Sequence, residues 1–168
     1  MKIRQELSRE MRCIRWNVVS VCAVGMLILG MLTGALGSGA VVYRYLCLPA
    51  FALPAAAFIL IWSLWYVLIG GVLGIIFGAY GCCRSPEIKS GFFWMTLLIL
   101  SNLIWYPVFF GLGSFVFSFL VLVLHILITF VALGTFAKLG CLPSIVTAVY
   151  FIWLIYCLFV NFCIILLN

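Results

Sequence analysis

The side chains that could carry chemistry are tryptophan rings and carboxamides placed inside long apolar stretches. Trp62 lies in one such stretch, Asn102 stands three residues before Trp105, and Trp153 stands eight residues before Asn161. An amide in hydrocarbon needs a hydrogen-bond partner, and an aromatic face packs well against a flat apolar molecule. The pattern therefore favours binding of a small, largely apolar molecule.

Catalytic groups are scarce. Within the apolar stretches the one titratable group of interest is His125, and the acidic residues Glu6, Glu10 and Glu87 all lie outside those stretches. The absence of an intramembrane carboxylate, a histidine pair or a phosphate-binding loop argues against a proton-coupled pump and a metal enzyme. Photochemistry by a bound pigment stays open. For His125 we favour a hydrogen-bonded bridge between helices over a proton relay or haem ligand.

Composition shows which elements must position these groups. Of the 168 residues, 68% are hydrophobic and 7% are charged, and the mean hydropathy is +1.42. These values exclude an ordinary soluble domain and indicate an all-α, multi-pass integral membrane protein. Since a span needs about 20 apolar residues, we predict a bundle of five transmembrane helices. Their predicted bounds are about 17–41, 54–79, 90–109, 114–137 and 142–167.

The basic residues set the expected orientation. If the N-terminus is cytoplasmic, Arg44 is the one basic residue outside, and all the others lie inside. Residues 1–16 then form a basic tail, either solvated or lying on the inner leaflet as a short helix. The net charge of +6 accordingly reflects topology and the lipid bilayer, and we expect no nucleic-acid partner.

The predicted depths of these side chains in the membrane indicate that several of them could lie close together. Counting along the helices places Trp62 and Trp153 near the midplane, and Asn102, Trp105 and Asn161 in the outer half. One internal pocket roofed by residues 43–54 could contain them all. Alternatives remain for each: Trp105 in an outer aromatic belt, the asparagines as bridges between helices, and Trp62 and Trp153 as core packing.

Small and sulfur-containing residues predict structure more than chemistry. Glycines recur at about four-residue spacing in the first two helices, which favours close packing of the backbones.

The eight cysteines do not form a disulfide framework, because most fall inside spans or on the expected reducing side. We expect inert thiols.

Three motifs, in order over about residues 20–168, resemble the TspO/MBR family of tryptophan-rich sensory proteins and translocator proteins. The family's lid and second helix read WY-x-x-L-x-KPSF-x-PP-x-W-x-F-GPVW-x-x-LY-x-LMG. The third-helix pattern is LN-x-x-W-x-P-x-FFGL, and the last helix reads PY-x-x-W followed by LN and a terminal LN. The matching residues here are Tyr43, Pro49, Phe51, Pro54, Phe58, Trp62, Trp65, Tyr66, Gly70, Asn102, Trp105, Pro107, Phe109 to Leu112, Tyr150, Trp153, Asn161 and Asn168.

The resemblance implies a five-helix bundle in a bacterial cell membrane, often a homodimer, with a pocket for porphyrins or haem-like tetrapyrroles. It implies a receptor or carrier without an obligatory cofactor or metal. Two other functions stay open: light- or oxygen-dependent porphyrin degradation using Trp62 and Trp153, and a structural partner protein assembling through its glycine faces. The candidate ligand-binding residues are Tyr43, Pro49, Phe51, Phe58, Trp62, Tyr66, Asn102, Trp105, Tyr150, Trp153, Cys157 and Asn161.

The chain departs from the family pattern chiefly in the lid. Val42, Leu48, Leu53 and Ala56 stand where the family has Trp, Lys, Pro and Trp. These changes predict a ligand preference or affinity of its own.

Overall fold

The computed structural model describes residues 14–36, 39–80 and 86–168, and the regular structure in these ranges is entirely helical. Five helices are long and apolar enough to cross a membrane, which confirms the predicted bundle. The predicted basic tail falls, up to residue 13, outside the described residues. The helices are α1 (Trp16–Leu36), α2 (Gly39–Tyr45), α3 (Ala55–Tyr80), α4 (Pro86–Tyr106), a π-helical turn (Pro107–Gly111), α5 (Phe115–Leu139) and α6 (Cys141–Leu167).

Two spans have boundaries that differ from the predicted ones. The first span ends at Leu36 rather than near residue 41, and α2 packs inward so that Tyr43 stacks on Phe58 of α3. The third span begins at Pro86 rather than near residue 90. Pro86 suits the first helical turn, where its missing backbone N–H is not needed. The Glu87 carboxylate is stabilised by the positive end of the helix dipole, so both residues belong to the helix.

The bundle has two different ends. Residues 39–54, comprising α2 and the following segment, cover one end and are called the lid here. At the opposite end, called the basic end, lie Arg15, Lys89 and Lys138, each next to a terminus of a spanning helix.

Glycines of α3 bring it against α1. A Cβ atom added at Gly74 would lie 2.5 Å from Val19 Cα, and one at Gly70 would lie 2.7 Å from Ala23 Cα. Only a residue without a side chain permits such an approach, so the predicted packing role is confirmed for these two glycines. Gly25 of α1, in contrast, has open space beside it. The face of α3 that carries Gly70 and Gly74 is therefore covered by α1.

The other three spans, together with the inner face of α3, enclose the apolar core. α5 packs against both α4 and α6, and it contributes side chains with no solvent exposure on one helical face. Close packing of this kind fixes the relative rotation of the helices. The apolar side chains of α5 and α6 that have no exposed surface at all are Leu122, Ala132, Phe136 and Leu154.

Pro107 interrupts the regular hydrogen bonding of the third span without ending it. The chain passes through a π-helical turn in which the Leu112 N–H donates to the Pro107 carbonyl at 2.9 Å. Such a wide turn accommodates a proline and alters which side chains face inward. Val108, Phe109 and Phe110, three consecutive residues, are all buried as a result.

Tyr156 of α6 and Asn168, the residue that follows this helix, hold the lid in place. The Asn168 amide bonds the backbone of Cys47 reciprocally, accepting from its N–H at 3.0 Å and donating to its carbonyl at 3.1 Å. The Tyr156 hydroxyl accepts from the Leu53 N–H at 3.1 Å and donates to the Phe51 carbonyl at 3.3 Å. These four bonds satisfy lid backbone groups that no helix or sheet supplies with partners.

Candidate ligand-binding site

An aromatic cluster from three helices forms the centre of the site. The rings of Trp62 in α3 and Trp105 in α4 stack with centroids 5.5 Å apart and planes inclined by 19°. Trp153 of α6 meets Trp62 edge-on at 6.1 Å and contacts Phe58 at 6.3 Å. The structure thus brings Trp105, which the sequence placed in the outer half, together with Trp62 and Trp153, which it placed near the midplane.

A cavity of about 520 Å³ lies on one side of this cluster, between α1, α3 and α4. Met31 and Ile59, which are 65% and 50% exposed, form part of its rim, so the cavity opens on the flank of the bundle. Its volume is within the range of small-molecule pockets. Its lining comprises Leu27, Gly30, Met31, Gly34, Ala35, Phe58, Ile59, Trp62, Ser63, Tyr66, Asn102, Trp105 and Tyr106.

A much smaller space lies beneath the lid, on the other side of Phe58 and Trp105. Its volume is about 10 Å³, which is room for one water molecule. Tyr43, Cys157 and Asn161 belong to its lining. The single pocket predicted from the sequence is therefore divided, because Phe58 and Trp105 fill the space between the two halves and line both.

Tyr43 ties the lid to the cluster. Its ring stacks on Phe58 at 5.3 Å and its hydroxyl donates to the Leu53 carbonyl at 2.9 Å. Burial raises the pKa of the Tyr43 phenol to about 12, so this group remains a protonated donor over the physiological range.

A chain of polar side chains crosses the core behind the cavity. Asn102 Nδ2 donates to the Tyr150 hydroxyl at 2.6 Å, and that hydroxyl lies 3.2 Å from His125 Nε2. In the tautomer that carries its proton on Nδ1, the His125 ring presents Nε2 to Tyr150 as an acceptor. With Nε2 unprotonated, Tyr150 donates to it. The prediction that His125 bridges helices is confirmed, and Asn102 takes part in the same bridge between α4, α5 and α6.

Asn161 makes a second bridge, and here one polar atom has no partner. Its Nδ2 donates to Ser118 Oγ at 3.0 Å, whereas its buried Oδ1 has none. The indole N–H groups of Trp62, Trp105 and Trp153 are likewise buried without an acceptor. Ring packing rather than hydrogen bonding consequently holds the aromatic cluster together.

The predicted site residues lie at different places relative to the large cavity and the small space beneath the lid. Pro49 and Phe51 line neither space, and the Phe51 side chain is 54% exposed. Tyr150 and Trp153 stand behind the lining, in contact with Asn102 and Trp62 respectively. The predicted residues that line the large cavity are Phe58, Trp62, Tyr66, Asn102 and Trp105.

The wall contributed by α1 was not predicted as part of a binding site. Gly30 and Gly34 leave space for the rings of Tyr66 and Tyr106, and the Tyr106 hydroxyl donates to the Gly34 carbonyl at 3.3 Å. The regular spacing of glycines in α1 could have indicated this wall of the cavity, but the prediction assigned those glycines to helix packing alone. The hydroxyl of Tyr156, which holds the lid, was also missed.

Comparison with known proteins gives a family. A search of curated proteins found no significant match. The family model described as TspO/MBR family matches residues 18–167, nearly the whole length of the chain. That range contains four of the five spans, all but the first two residues of the remaining one, the lid and the aromatic cluster, as the motifs in the sequence predicted. The chain is a multi-pass integral membrane protein and belongs to the TspO/MBR family.

Proposed function

We propose that this protein binds a porphyrin or haem-like tetrapyrrole in the 520 Å³ cavity, as a sensor or carrier in a bacterial cell membrane with its N-terminus in the cytoplasm. The observation that carries the proposal is the stacked pair Trp62 and Trp105 in the wall of that cavity, with Tyr66 beside it. Membership of the TspO/MBR family supports a tetrapyrrole or related apolar ligand.

The chemistry of the lining fits a flat macrocycle. Aromatic faces stabilise an extended π system by stacking, and the cavity offers several of them. Asn102 is the buried polar residue of the lining, and its nitrogen is committed to Tyr150. Its carbonyl oxygen is then the natural acceptor for a pyrrole N–H. The carboxylates of the ligand would remain in water near the lid, where Arg44 is exposed.

A matched pair of glycine substitutions tests this assignment. Gly34 lines the cavity, with its nearest neighbour 4.0 Å from an added Cβ, whereas Gly134 of α5 is exposed with open space around it. Gly34→Leu fills the cavity and should weaken protoporphyrin binding at least about ten-fold, measured by tryptophan quenching and the Soret shift. Gly134→Leu should leave binding unchanged. Equal affinities of both variants and wild type would refute the cavity as the binding site.

Light- or oxygen-dependent porphyrin degradation is the second candidate function. The contact between Trp62 and Trp153 favours it, because two indole rings at 6.1 Å can share an electron hole created in one of them. Illuminated protein with protoporphyrin under air should then give a new product and lose the Soret band faster than free pigment. A Trp153→Phe variant should slow product formation while binding persists. Bleaching at the free-pigment rate would exclude this activity.

A further inference from the structure

A second groove lies on the lipid-facing surface near the basic end, away from the tryptophan cluster. Its volume is about 460 Å³, and its lining comprises Phe77, Lys89, Phe92, Phe93, Thr96 and Leu97. Phe77 belongs to the last turns of α3, and the other residues belong to the first half of α4. None of them lines the cavity assigned to the tetrapyrrole.

The α4 residues of the groove occupy one helical face. They fall at positions i, i+3, i+4, i+7 and i+8 counted from Lys89, the spacing of a single stripe. At about 1.5 Å per residue, the stripe extends roughly 12 Å from Lys89 to Leu97. This length approaches the roughly 15 Å thickness of one hydrocarbon leaflet.

The charge and the apolar surface of the groove are separated along its length. Lys89 is exposed at its polar end, one turn from the α4 terminus, and Phe77 packs against Phe92 deeper in the groove with ring centroids 5.4 Å apart. Phe93 is 58% exposed beside them. Glu87 lies two residues from Lys89 and so points away from the same face.

We infer that this groove binds an anionic phospholipid, with the phosphate on the Lys89 ammonium and one acyl chain along the phenylalanines. An ammonium group above an apolar channel one leaflet long matches a lipid better than a soluble anion, which would leave the channel empty. Basic pockets between spanning helices are known to hold anionic head groups. The site is independent of the tetrapyrrole cavity.

Two substitutions separate the head-group contact from the acyl-chain contact. The full-length protein in detergent is titrated with phosphatidylglycerol or phosphatidylcholine, and bound lipid is counted by native mass spectrometry. Lys89→Gln should weaken phosphatidylglycerol binding about five-fold and leave phosphatidylcholine unaffected. Phe93→Ala should weaken both lipids equally, because it removes apolar contact and no charge. Both side chains are exposed, so the fold should tolerate these changes.

Lys138 provides the matched control, since it is exposed at the same end of the bundle but does not line the groove. Lys138→Gln should retain wild-type binding. Equal losses from both lysine variants would show non-specific surface attraction and overturn the inference. Displacement of the lipid by millimolar inorganic phosphate would assign the site to a free anion instead. A change in oligomeric state with Phe93→Ala, without a change in lipid count, would assign the groove to a second copy of the chain.

Discussion

Replacing Tyr150 by phenylalanine tests whether the buried polar chain stabilises the bundle. The side chain is 1% exposed, and its hydroxyl joins Asn102 of α4 to His125 of α5. The substitution keeps the ring against Trp65, whose centroid lies 5.0 Å away, and removes only the shared oxygen. Two buried polar groups then lose their partner at once.

The expected loss follows from these two bonds. In a soluble core each unsatisfied buried group costs about 1–3 kcal/mol. Side-chain hydrogen bonds between spanning helices average about 0.6 kcal/mol, with an upper value near 1.7. We therefore expect Tyr150→Phe to lower the free energy of unfolding by about 1–3 kcal/mol. Most of this loss of unfolding free energy should disappear in a variant whose Asn102 and His125 have first been replaced by apolar residues.

Reversible unfolding in mixed micelles, followed by helical circular dichroism, measures this change. Thr147→Val is the matched control, because Thr147 is also buried in α6 but its hydroxyl bonds Pro143 within the same helix at 2.8 Å. It should cost about 0.5 kcal/mol or less. If both variants lost the same stability, or if a double-mutant cycle with Asn102→Ala gave no coupling, the bridge would have no stabilising role.

Two further predictions concern the packing of α1 and the lid. Gly74→Ala should destabilise the protein by about 1–3 kcal/mol because its Cβ would meet the α1 backbone, whereas Gly71→Ala, with 4.0 Å to its nearest neighbour, should be neutral or slightly stabilising in the same unfolding measurement. Equal effects would contradict the close approach. Asn168→Ala should speed hydrogen exchange of the lid amide of Cys47 about ten-fold, since it removes the bond to that N–H. An unchanged exchange rate would mean that the other lid contacts suffice.

The sequence allowed prediction of the parts of the fold that depend on local composition. Charge-free runs defined the spans, because hydrocarbon disfavours charges at any position along a helix. These runs extend from Arg15 to Arg44, from Arg44 to Arg84, from Lys89 to Lys138 and onward from Lys138. Helical rise alone predicted that Trp62 and Trp153 could meet, and their ring centroids lie 6.1 Å apart. Bridging by amides was foreseeable too, since an unpaired amide is costly in hydrocarbon.

The internal shape of the site could not be predicted in this way. Its division into the large cavity and the small space beneath the lid depends on how Trp62 and Trp105 stack across two helices. The π-helical turn at Pro107 is a second feature of this kind, because it places Phe109 beside Trp105 with ring centroids 5.3 Å apart. The α1 wall was missed because it exists only once the α3 glycines have set the distance between those helices.

The attachment of the lid to α6 has a consequence for biogenesis. Cys47 and Asn168 are separated by 121 residues, and Leu53 and Tyr156 by 103. At about 5–20 residues per second of synthesis, the lid leaves the ribosome roughly 5–20 s before the helix that fixes it. Throughout this interval α1 and α3 can already pair through their glycines, but the lid backbone must rely on water for its hydrogen bonds. Insertion of the last span is therefore the step that completes both the lid and the aromatic cluster, to which that span contributes Trp153.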